Sequence, residues 1–248
     1  MIPHIFHQVW FDLGNGSNPP QKYNAFRQSW SHHHPDAMFM LWNESMALDL
    51  LRQYYPWFLS TYNGYKNTIY RIDSIRYFIL HHYGGVYIDL DLRCRKCVYG
   101  LLEQCGSAQL IVCGCSKIKW MINNFFMAAM PNSDFFNVVF QKLVKRGKSY
   151  IMNVKQGVIS TLYIAGPWLL HQCVSRRKEV CFVLPAITFA PNVEGDELNY
   201  GVHEYHNSWN VTRKYIWDEA RFIVLPVLLL ICMLTYMQRK GISLRNLY

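Results

Sequence analysis

The stretch from Arg71 to Leu92 reads RIDSIRYFILHHYGGVYIDLDL, and it decides the fold. Its first part predicts a helix over residues 68–83, because apolar side chains recur three and four positions apart. Two glycines at 84–85 end this helix, since glycine adopts the left-handed backbone of a helix C-cap without steric cost. Residues 86–92 then predict a strand. A helix, a glycine turn and a strand in this order indicate an α/β protein.

Two aspartates, Asp89 and Asp91, lie at the end of the predicted strand. Alternate residues of a strand point the same way, so we expect both carboxylates on one side. Ligands of open α/β sheets bind outside the carboxyl ends of the strands. A carboxylate pair there suits a hard cation such as Mg²⁺ or Mn²⁺, which can bridge and neutralise a diphosphate. A solvated strand end with two capping aspartates is the alternative.

Weaker patterns extend this alternation along the chain. Strands are predicted at 2–11, 38–42, 110–113 and 182–184, and helices at 23–30, 45–55 and 135–146. The sequence has no internal repeat and no obvious linker between domains. We therefore predict a single α/β domain over residues 1–215.

The composition limits the class of protein and its partners. Hydrophobic residues make up 51% of the 248 residues and charged residues 17%, which excludes a disordered chain. The net charge of +9 favours acidic partners such as nucleotide phosphates or anionic lipid. We expect no nucleic-acid partner, because no basic stripe with interleaved aromatic residues is visible.

Two other patterns suggest metal sites but are weaker. Cys94 and Cys97 have CxxC spacing, yet a structural zinc site needs a second pair, and the spacing at 113–115 is too tight for one. We expect the eight cysteines to be free thiols or to form one or two disulfides. The histidines at 32–34 are consecutive, so they cannot all face one ion, and we expect a solvated loop there.

Residues 222–237 read FIVLPVLLLICMLTYM and carry no charge. As a helix they would be about 24 Å long, somewhat short of the roughly 30 Å hydrocarbon core of a bilayer. Pro226 would kink such a helix, and the flanking Arg221, Arg239 and Lys240 could reach the headgroups. We expect residues 216–248 to be a hydrophobic tail that attaches the protein to a membrane. A buried C-terminal helix is the alternative.

Two segments resemble the DXD-containing sugar transferases called glycosyltransferase family thirty-two, which include fungal inositol-phosphoceramide mannosyltransferases. They are IPHIFHQVW at 2–10 and the longer stretch at 71–92. The family pattern opens I-P-K-I-I-H-Q-x-W and continues S-D-x-x-R-Y-x-x-L-x-x-x-G-G-x-Y-x-D-x-D. His4, Phe6 and Ile72 depart from it. The matching residues of the longer motif are Asp73, Arg76, Tyr77, Leu80, Gly84, Gly85, Tyr87, Asp89 and Asp91.

The resemblance implies a Rossmann-like nucleotide-diphospho-sugar transferase fold of the GT-A type. It implies transfer of a hexose, with mannose favoured, from GDP-mannose or a UDP-sugar to a glycolipid or glycan, with retention of configuration. Mn²⁺ or Mg²⁺ would be the cofactor. Membrane association in the Golgi or endoplasmic reticulum would follow, with the orientation left open. No side chain is assigned as a covalent nucleophile.

The resemblance also assigns the central residues of the site. Asp89 and Asp91 would bind the metal, and Asp73 and Arg76 would contact the donor sugar or its phosphates. The chemistry agrees, since an arginine donates two hydrogen bonds to a phosphate and an aspartate accepts from sugar hydroxyls. Asp73, Arg76 and Asp91 are the candidate catalytic residues. For Asp73 and Arg76, a simple salt bridge between residues three apart on one helix is the alternative.

The resemblance also assigns contacts to the nucleotide and the sugar. His7, Trp10 and Tyr77 would lie at the nucleotide, although His7 and Trp10 could serve packing alone. Asn124, preferred over Asn123, would face the sugar, with a turn residue as the alternative. The stretch at 165–167 resembles a T-G-P motif in which alanine replaces the threonine, so we expect no hydroxyl role there.

The segment at 203–209 resembles the C-terminal H-x(4,5)-S-W motif of the family. There His203, or as second choice His206, would complete the metal shell, and Trp209 would stack on the base or close the site. A pair of surface histidines is the alternative.

Two other functions remain compatible with the sequence. One is a metal-dependent phosphohydrolase that uses the aspartate pair. The other is a non-catalytic, membrane-anchored binding protein that descends from a transferase.

Overall fold

The computed structural model describes residues 1–12, 16, 18–116, 118, 120–149, 158–190 and 197–204. Within these ranges the chain forms a mixed α/β fold. The strands are β1 (Ile5–Val9), β2 (Met38–Trp42), β3 (Gly85–Ile88), β4 (Leu92–Cys94), β5 (Leu110–Gly114), β6 (Ile122–Ala129), β7 (Cys181–Leu184) and β8 (Gly201–His203). The helices are α1 (Asn24–His33), α2 (Glu44–Tyr54), α3 (Leu59–Gly64), α4 (Thr68–Tyr83), α5 (Tyr99–Gln104), α6 (Phe135–Gly147), α7 (Val158–Ile164) and α8 (Pro167–Arg176).

The central sheet has six strands in the order β2-β1-β3-β6-β5-β7. Strand β6 runs antiparallel to its neighbours β3 and β5, while β1 is parallel to both β2 and β3, and β5 is parallel to β7. The carboxyl ends of β1 and β3 therefore meet the amino end of β6 at one edge of the sheet. The strands β4 and β8 form a separate two-stranded sheet.

Helices cover both faces of the central sheet, because its strands alternate their buried side chains between two cores. Tyr87 of β3 packs in the core formed with α2, α4, α6 and α8, whereas Val86 and Ile88 pack in the core formed with α1 and α5. The middle of α4 is buried on every side, from Asp73 to Leu80. Burial on two faces explains why the strands are near-continuous apolar runs.

Two glycines make the turn from α4 into β3. Gly84 and Gly85 have positive φ angles of 64° and 89°, a region that side chains with a Cβ rarely adopt. A Cβ at Gly84 would lie 2.6 Å from the ring of Pro131, and one at Gly85 would collide with the carbonyl oxygen of Ile5. The turn thus requires both glycines, and it fixes the position of α4 relative to the end of β3.

Most predicted elements are confirmed. The helix at 68–83 and the strand at 38–42 have the predicted bounds, and the ends of the other predicted elements differ by a few residues in either direction. Strand β6 was missed, since it is buried on both faces and its sequence INNFFMAA has no alternation. Strand β8 and helices α3, α5, α7 and α8 were also missed.

Two predictions about local structure are wrong. The strand predicted at 86–92 ends at Ile88, because the backbone then turns into β4. The histidines at 32–34 do not form a solvated loop, since α1 continues through His33 and His34 is fully buried. The His34 ring donates from Nδ1 to the Trp30 carbonyl at 2.9 Å and accepts at Nε2 from the Val98 amide at 3.0 Å.

The seven cysteines within the described ranges are free of disulfides. Over the same ranges, no helix has both the length and the apolar character that crossing a bilayer requires. The predicted tail at 216–248 and the domain boundary at 215 lie outside the described residues.

His7 is buried in the core with both ring nitrogens engaged. Its Nε2 donates to the Gly84 carbonyl at 2.9 Å, and its Nδ1 accepts from the Trp42 indole at 3.2 Å. Burial lowers the pKa of the His7 imidazole from 6.5 to about 4, and the bond to Gly84 offsets only part of this change. The ring is therefore neutral in the folded protein at neutral pH and protonates more readily after unfolding.

We expect His7 to make the stability of the protein depend on pH between about 4 and 6.5. Above pH 6.5 neutral His7 contributes fully to the free energy of unfolding. As the pH falls, protonation of the unfolded state lowers this free energy by about 3 kcal/mol, and the loss is complete near pH 4. Urea unfolding at several pH values should give a shallower slope for His7→Gln than for the wild type. The exposed His32→Gln is the control. Parallel profiles for wild type and His7→Gln would contradict this expectation.

Candidate functional site

A cleft opens at the edge of the sheet where β1 and β3 end and β6 begins. Its walls come from the ends of these strands, from α4, from α7 and the start of α8, and from β8. The residues that line it are Val9, Trp10, Phe11, Tyr23, Ile69, Ile72, Asp73, Arg76, Tyr87, Asp89, Leu90, Asp91, Met121, Asn123, Asn124, Phe125, Thr161, Leu162, Pro167 and His203. The antiparallel direction of β6 explains how distant parts of the chain meet here.

The two acidic residues of the Asp-x-Asp motif lie on a turn rather than on a strand. The Asp89 amide donates to the Phe125 carbonyl at 2.9 Å, which is the last backbone bond to β6. The Leu92 amide then donates to the Asp89 carbonyl at 3.1 Å and closes a turn over four residues. The turn, and not the alternation of a strand, therefore directs both carboxylates into the cleft.

The small sheet brings His203 to this turn. Leu92 of β4 pairs with His203 of β8, and the Glu204 amide donates to the Asp91 carbonyl at 3.1 Å. The His203 ring stacks on Phe125, with ring centroids 4.2 Å apart. Its Nε2 lies 3.1 Å from Oδ1 of Asp91. One ligand atom each from Asp89, Asp91 and His203 falls within 4.8 Å of the others.

Asp73 and Arg76 form a buried ion pair beside the two acids. The guanidinium lies 2.6 Å from the Asp73 carboxylate and 3.2 Å from that of Asp89. It also donates to the Asn124 carbonyl at 2.9 Å and lies over the Tyr87 ring, 4.5 Å from its centroid. Arg76 thus connects α4 to the turn that carries Asp89 and Asp91, and its salt bridge with Asp73 is part of the cleft.

Burial and charge shift the pKa values of these groups. Burial raises the pKa of the Asp73 carboxyl to about 6, although Arg76 opposes the change. Burial, and then the charge of Asp91, raise the pKa of Asp89, again against Arg76. Burial by itself would lower the pKa of the Arg76 guanidinium, but Tyr87, Asp73 and Asp89 together raise it. The guanidinium is therefore a permanent positive charge beside carboxylates that a cation would further stabilise.

The two asparagines of β6 have different surroundings. Asn124 lies within a strand, so it is not a turn residue, and its amide donates to Asp73 Oδ1 at 3.2 Å. Asn123 is also buried at the cleft, and its Nδ2 has no partner among the described residues. The sequence favoured Asn124 as the residue that faces the sugar. In the structure the Asn124 amide is bound to Asp73, whereas the Asn123 amide remains available to a ligand.

The other residues predicted to bind the nucleotide or the metal separate into three groups. Trp10 lines the cleft, and its indole donates to the Gly16 carbonyl at 3.1 Å. His7 and Tyr77 do not line it: both are buried, and the Tyr77 hydroxyl donates to the Ala165 carbonyl at 2.8 Å. Both are packing residues because the core uses their polar atoms. His206 and Trp209 lie outside the described residues.

Helix α7 and the first residue of α8 supply cleft residues that the sequence did not suggest. Thr161, Leu162 and Pro167 line the cleft. A Cβ at Gly166 would lie 2.6 Å from the Thr161 carbonyl and 3.3 Å from Asp73 Oδ2, so this glycine allows the turn between the two helices to reach the ion pair. In the sequence, the Gly-Pro pair at 166–167 was the signal that could have indicated a turn at this position. Ala165 replaces the threonine of the T-G-P motif, but Thr161 brings a hydroxyl group to the cleft.

Fold and site together define the class: an α/β protein with the nucleotide-diphospho-sugar transferase fold, whose cleft contains an acidic pair at the carboxyl end of a central strand. The solved structure of the PaToxG glycosyltransferase has this fold. The likeness has a TM-score of 0.52 at 17% identity and covers 71% of this chain and 70% of that one.

Residues 20–110 match the family described as "Glycosyltransferase sugar-binding region containing DXD motif". This part of the chain is thus similar to the DXD-containing family, in agreement with the resemblance of the motif at 71–92.

Two similar proteins come from Schizosaccharomyces pombe. The chain is 34% identical to inositol phosphoceramide mannosyltransferase 2 over 161 residues, which are 65% of this chain and 44% of that protein. It is 28% identical to inositol phosphoceramide mannosyltransferase 1 over 258 residues, which cover 96% of this chain and 75% of that protein. The chain thus spans less than half of the first relative and three quarters of the second.

Proposed function

We propose that this chain transfers a hexose, with mannose favoured, from a nucleotide-diphospho-sugar to a glycolipid acceptor. One observation carries the proposal: Asp89, Asp91 and His203 converge in the same cleft as the buried Asp73–Arg76 pair. Residues 1–215 form the transferase domain in this proposal, and residues 216–248 attach it to a Golgi or endoplasmic reticulum membrane. The relatives named as inositol phosphoceramide mannosyltransferases support mannose and an inositol-phosphate glycolipid.

The metal site fits a divalent cation. Two carboxylates and an imidazole can each offer one ligand atom to a single ion. Magnesium prefers an all-oxygen shell, whereas an imidazole ligand is typical of transition metals, so we propose Mn²⁺ over Mg²⁺. When bound, the cation would supply positive charge to the diphosphate leaving group.

The residues around the metal site have separate tasks in this proposal. Arg76 adds a fixed positive charge beside the acidic pair, and Asp73, held by Arg76 and Asn124, accepts from a sugar hydroxyl. Asn123 donates its amide to the sugar or a phosphate, and Trp10 contacts the nucleotide. Retention of configuration would follow from attack on the front face, since no side chain is assigned as a nucleophile.

Hydrolysis of sugar nucleotides by the purified chain tests the proposal. We expect slow release of sugar from one donor among GDP-mannose, UDP-glucose, UDP-galactose and UDP-N-acetylglucosamine in the presence of Mn²⁺. EDTA should abolish the release, and added Mn²⁺ should restore it. The donor that is cleaved identifies both the base and the sugar.

Two other outcomes would contradict the proposal. Hydrolysis of simple phosphomonoesters, without any sugar-nucleotide turnover, would indicate a phosphohydrolase. Failure to cleave or bind any donor, measured by calorimetry with Mn²⁺, would indicate a non-catalytic binding protein.

A further inference from the structure

A group of exposed apolar side chains lies beside the mouth of the cleft. Trp120 is 66% exposed, Trp168 is 38% exposed and Ile118 is 37% exposed. We refer to these three residues as the docking rim. Single exposed apolar residues are common, but a group at a functional opening indicates a contact surface.

The rim is tied to the cleft by the residues next to it in the chain. Met121, which follows Trp120, lines the cleft, and its amide donates to the Ile118 carbonyl at 2.9 Å. Pro167, which precedes Trp168, lines the cleft as well. The two tryptophans therefore lie on segments that form one wall of the opening.

The histidine His171 connects the two parts of the rim. Its ring makes an edge contact with Trp120, with centroids 5.5 Å apart. It lies three residues after Trp168 on α8, a spacing that puts both side chains on one face of a helix. Trp168 itself packs edge-on against Tyr163, with centroids 5.9 Å apart. These ring contacts hold the tryptophans in place while much of their surface stays exposed.

Two lysines, Lys142 and Lys178, lie near the residues of α8 that belong to or contact the docking rim. Burial, and then the charge of Lys178, lower the pKa of the His171 imidazole, which places that lysine close to the ring. Lys142 donates to Gln172 at 3.1 Å. In the sequence, Lys117 and Lys119 alternate with the two rim residues of the 117–120 segment.

Acidic side chains do not offset this charge on the same helix. Helix α8 carries none, and Glu179 beyond its end pairs with Arg177 at 2.7 Å. Exposed tryptophan beside lysine and arginine is the composition of surfaces that lie at a bilayer interface. The indole sits at headgroup level, and the cations attract anionic lipid.

We propose that the docking rim contacts the surface of an anionic lipid bilayer and turns the mouth of the cleft toward it. The rim would insert Trp120 and Trp168 at headgroup depth, and Lys142 and Lys178 would face anionic headgroups. As a consequence, which rests on the proposed function, the acceptor would enter the cleft directly from the bilayer. This contact is separate from any attachment through residues 216–248.

Quenching of tryptophan fluorescence by brominated lipid tests the proposal with the full chain. Vesicles of phosphatidylcholine and phosphatidylserine, with bromine near the headgroup end of the acyl chains, should quench part of the wild-type emission. The double variant Trp120→Ser/Trp168→Ser should lose this quenched component. Trp57→Ser removes a comparably exposed tryptophan outside the cleft lining and should retain it. The difference reports rim insertion however the chain is attached.

Two results would overturn the proposal. One is equal quenching in the wild type and the double variant. This result would show that the rim does not contact lipid and would indicate a protein-binding surface instead. The other is a wild-type chain that does not associate with these vesicles at all. Sugar-nucleotide hydrolysis in solution should be unchanged in the double variant, because neither tryptophan lines the cleft. A chain that shows rim-dependent quenching but cleaves no donor contradicts only the proposed function.

Discussion

Asp91→Ala should lower metal-dependent turnover of the donor by about a thousandfold while leaving the protein folded. Asp91 offers one of three ligand atoms that can meet at a single ion. Without it, one carboxylate and one imidazole would hold the cation, which would bind more weakly and be less well placed to stabilise the leaving diphosphate. The fold should tolerate the change, since the backbone bonds of the turn remain and one of two adjacent carboxylates is removed. Turnover at saturating Mn²⁺ and a urea denaturation curve measure the two effects.

A surface aspartate provides the control for this variant. Asp49 lies on α2, its side chain is 67% exposed, and it pairs with Arg52 at 3.0 Å. Asp49→Ala should leave turnover unchanged. If Asp91→Ala unfolds the protein, the aspartate has a structural role, and the metal-site interpretation is wrong for this residue.

The third ligand can be tested separately. His203→Ala should raise the Mn²⁺ concentration required for half-maximal turnover by about 10–100-fold, the range seen when a metal site loses a supporting partner. Excess Mn²⁺ should restore most of the activity, because both carboxylates are retained. His206→Ala should have the smaller effect. The reverse ranking would assign the ligand to His206.

Arg76→Ala should destabilise the protein by about 3–5 kcal/mol, the largest stability effect we expect in the site. The guanidinium has only 4% of its side-chain surface exposed and pairs with both Asp73 and Asp89. Its removal leaves the buried carboxylate of Asp73 and the partly exposed carboxylate of Asp89 without their positive partner. Arg76→Lys should recover only part of the loss, since a lysine cannot reproduce the planar contacts to Asp73, Asp89 and Tyr87.

Arg71 on the same helix offers a matched control. It pairs with Glu44 at 2.9 Å, with the two side chains 28% and 38% exposed. Exposed and half-exposed pairs contribute little, so Arg71→Ala should cost about 1 kcal/mol or less. Urea denaturation with an unchanged m-value measures both variants. Equal losses for Arg71→Ala and Arg76→Ala would show that burial of the Arg76 pair does not govern its contribution.

Much of the fold could be predicted from local patterns. The 68–83 helix has its predicted bounds because asparagine caps its start, apolar residues repeat along it and glycine ends it. Strand β6 could not be predicted, since burial on both faces removes the alternation that identifies a strand. The predicted end of β3 was wrong for a related reason. VYIDLDL has strand-like alternation throughout, and only the bonds from Asp89 to Phe125 and Leu92 show where the turn begins.

The sequence by itself determined which residue types could hold a diphosphate and its metal: an Asp-x-Asp motif, an aspartate and an arginine three apart on a helix, and a glycine pair between them. These depend on spacing within one short segment, which local backbone geometry controls. Only the tertiary structure decided which distant residues join them. His203 reaches Asp91 through the pairing of β4 with β8, and Asn123 and Thr161 reach the cleft through strand β6 and helix α7. Contacts between residues so far apart in the chain depend on how strands pair and helices pack, and no local pattern records that choice.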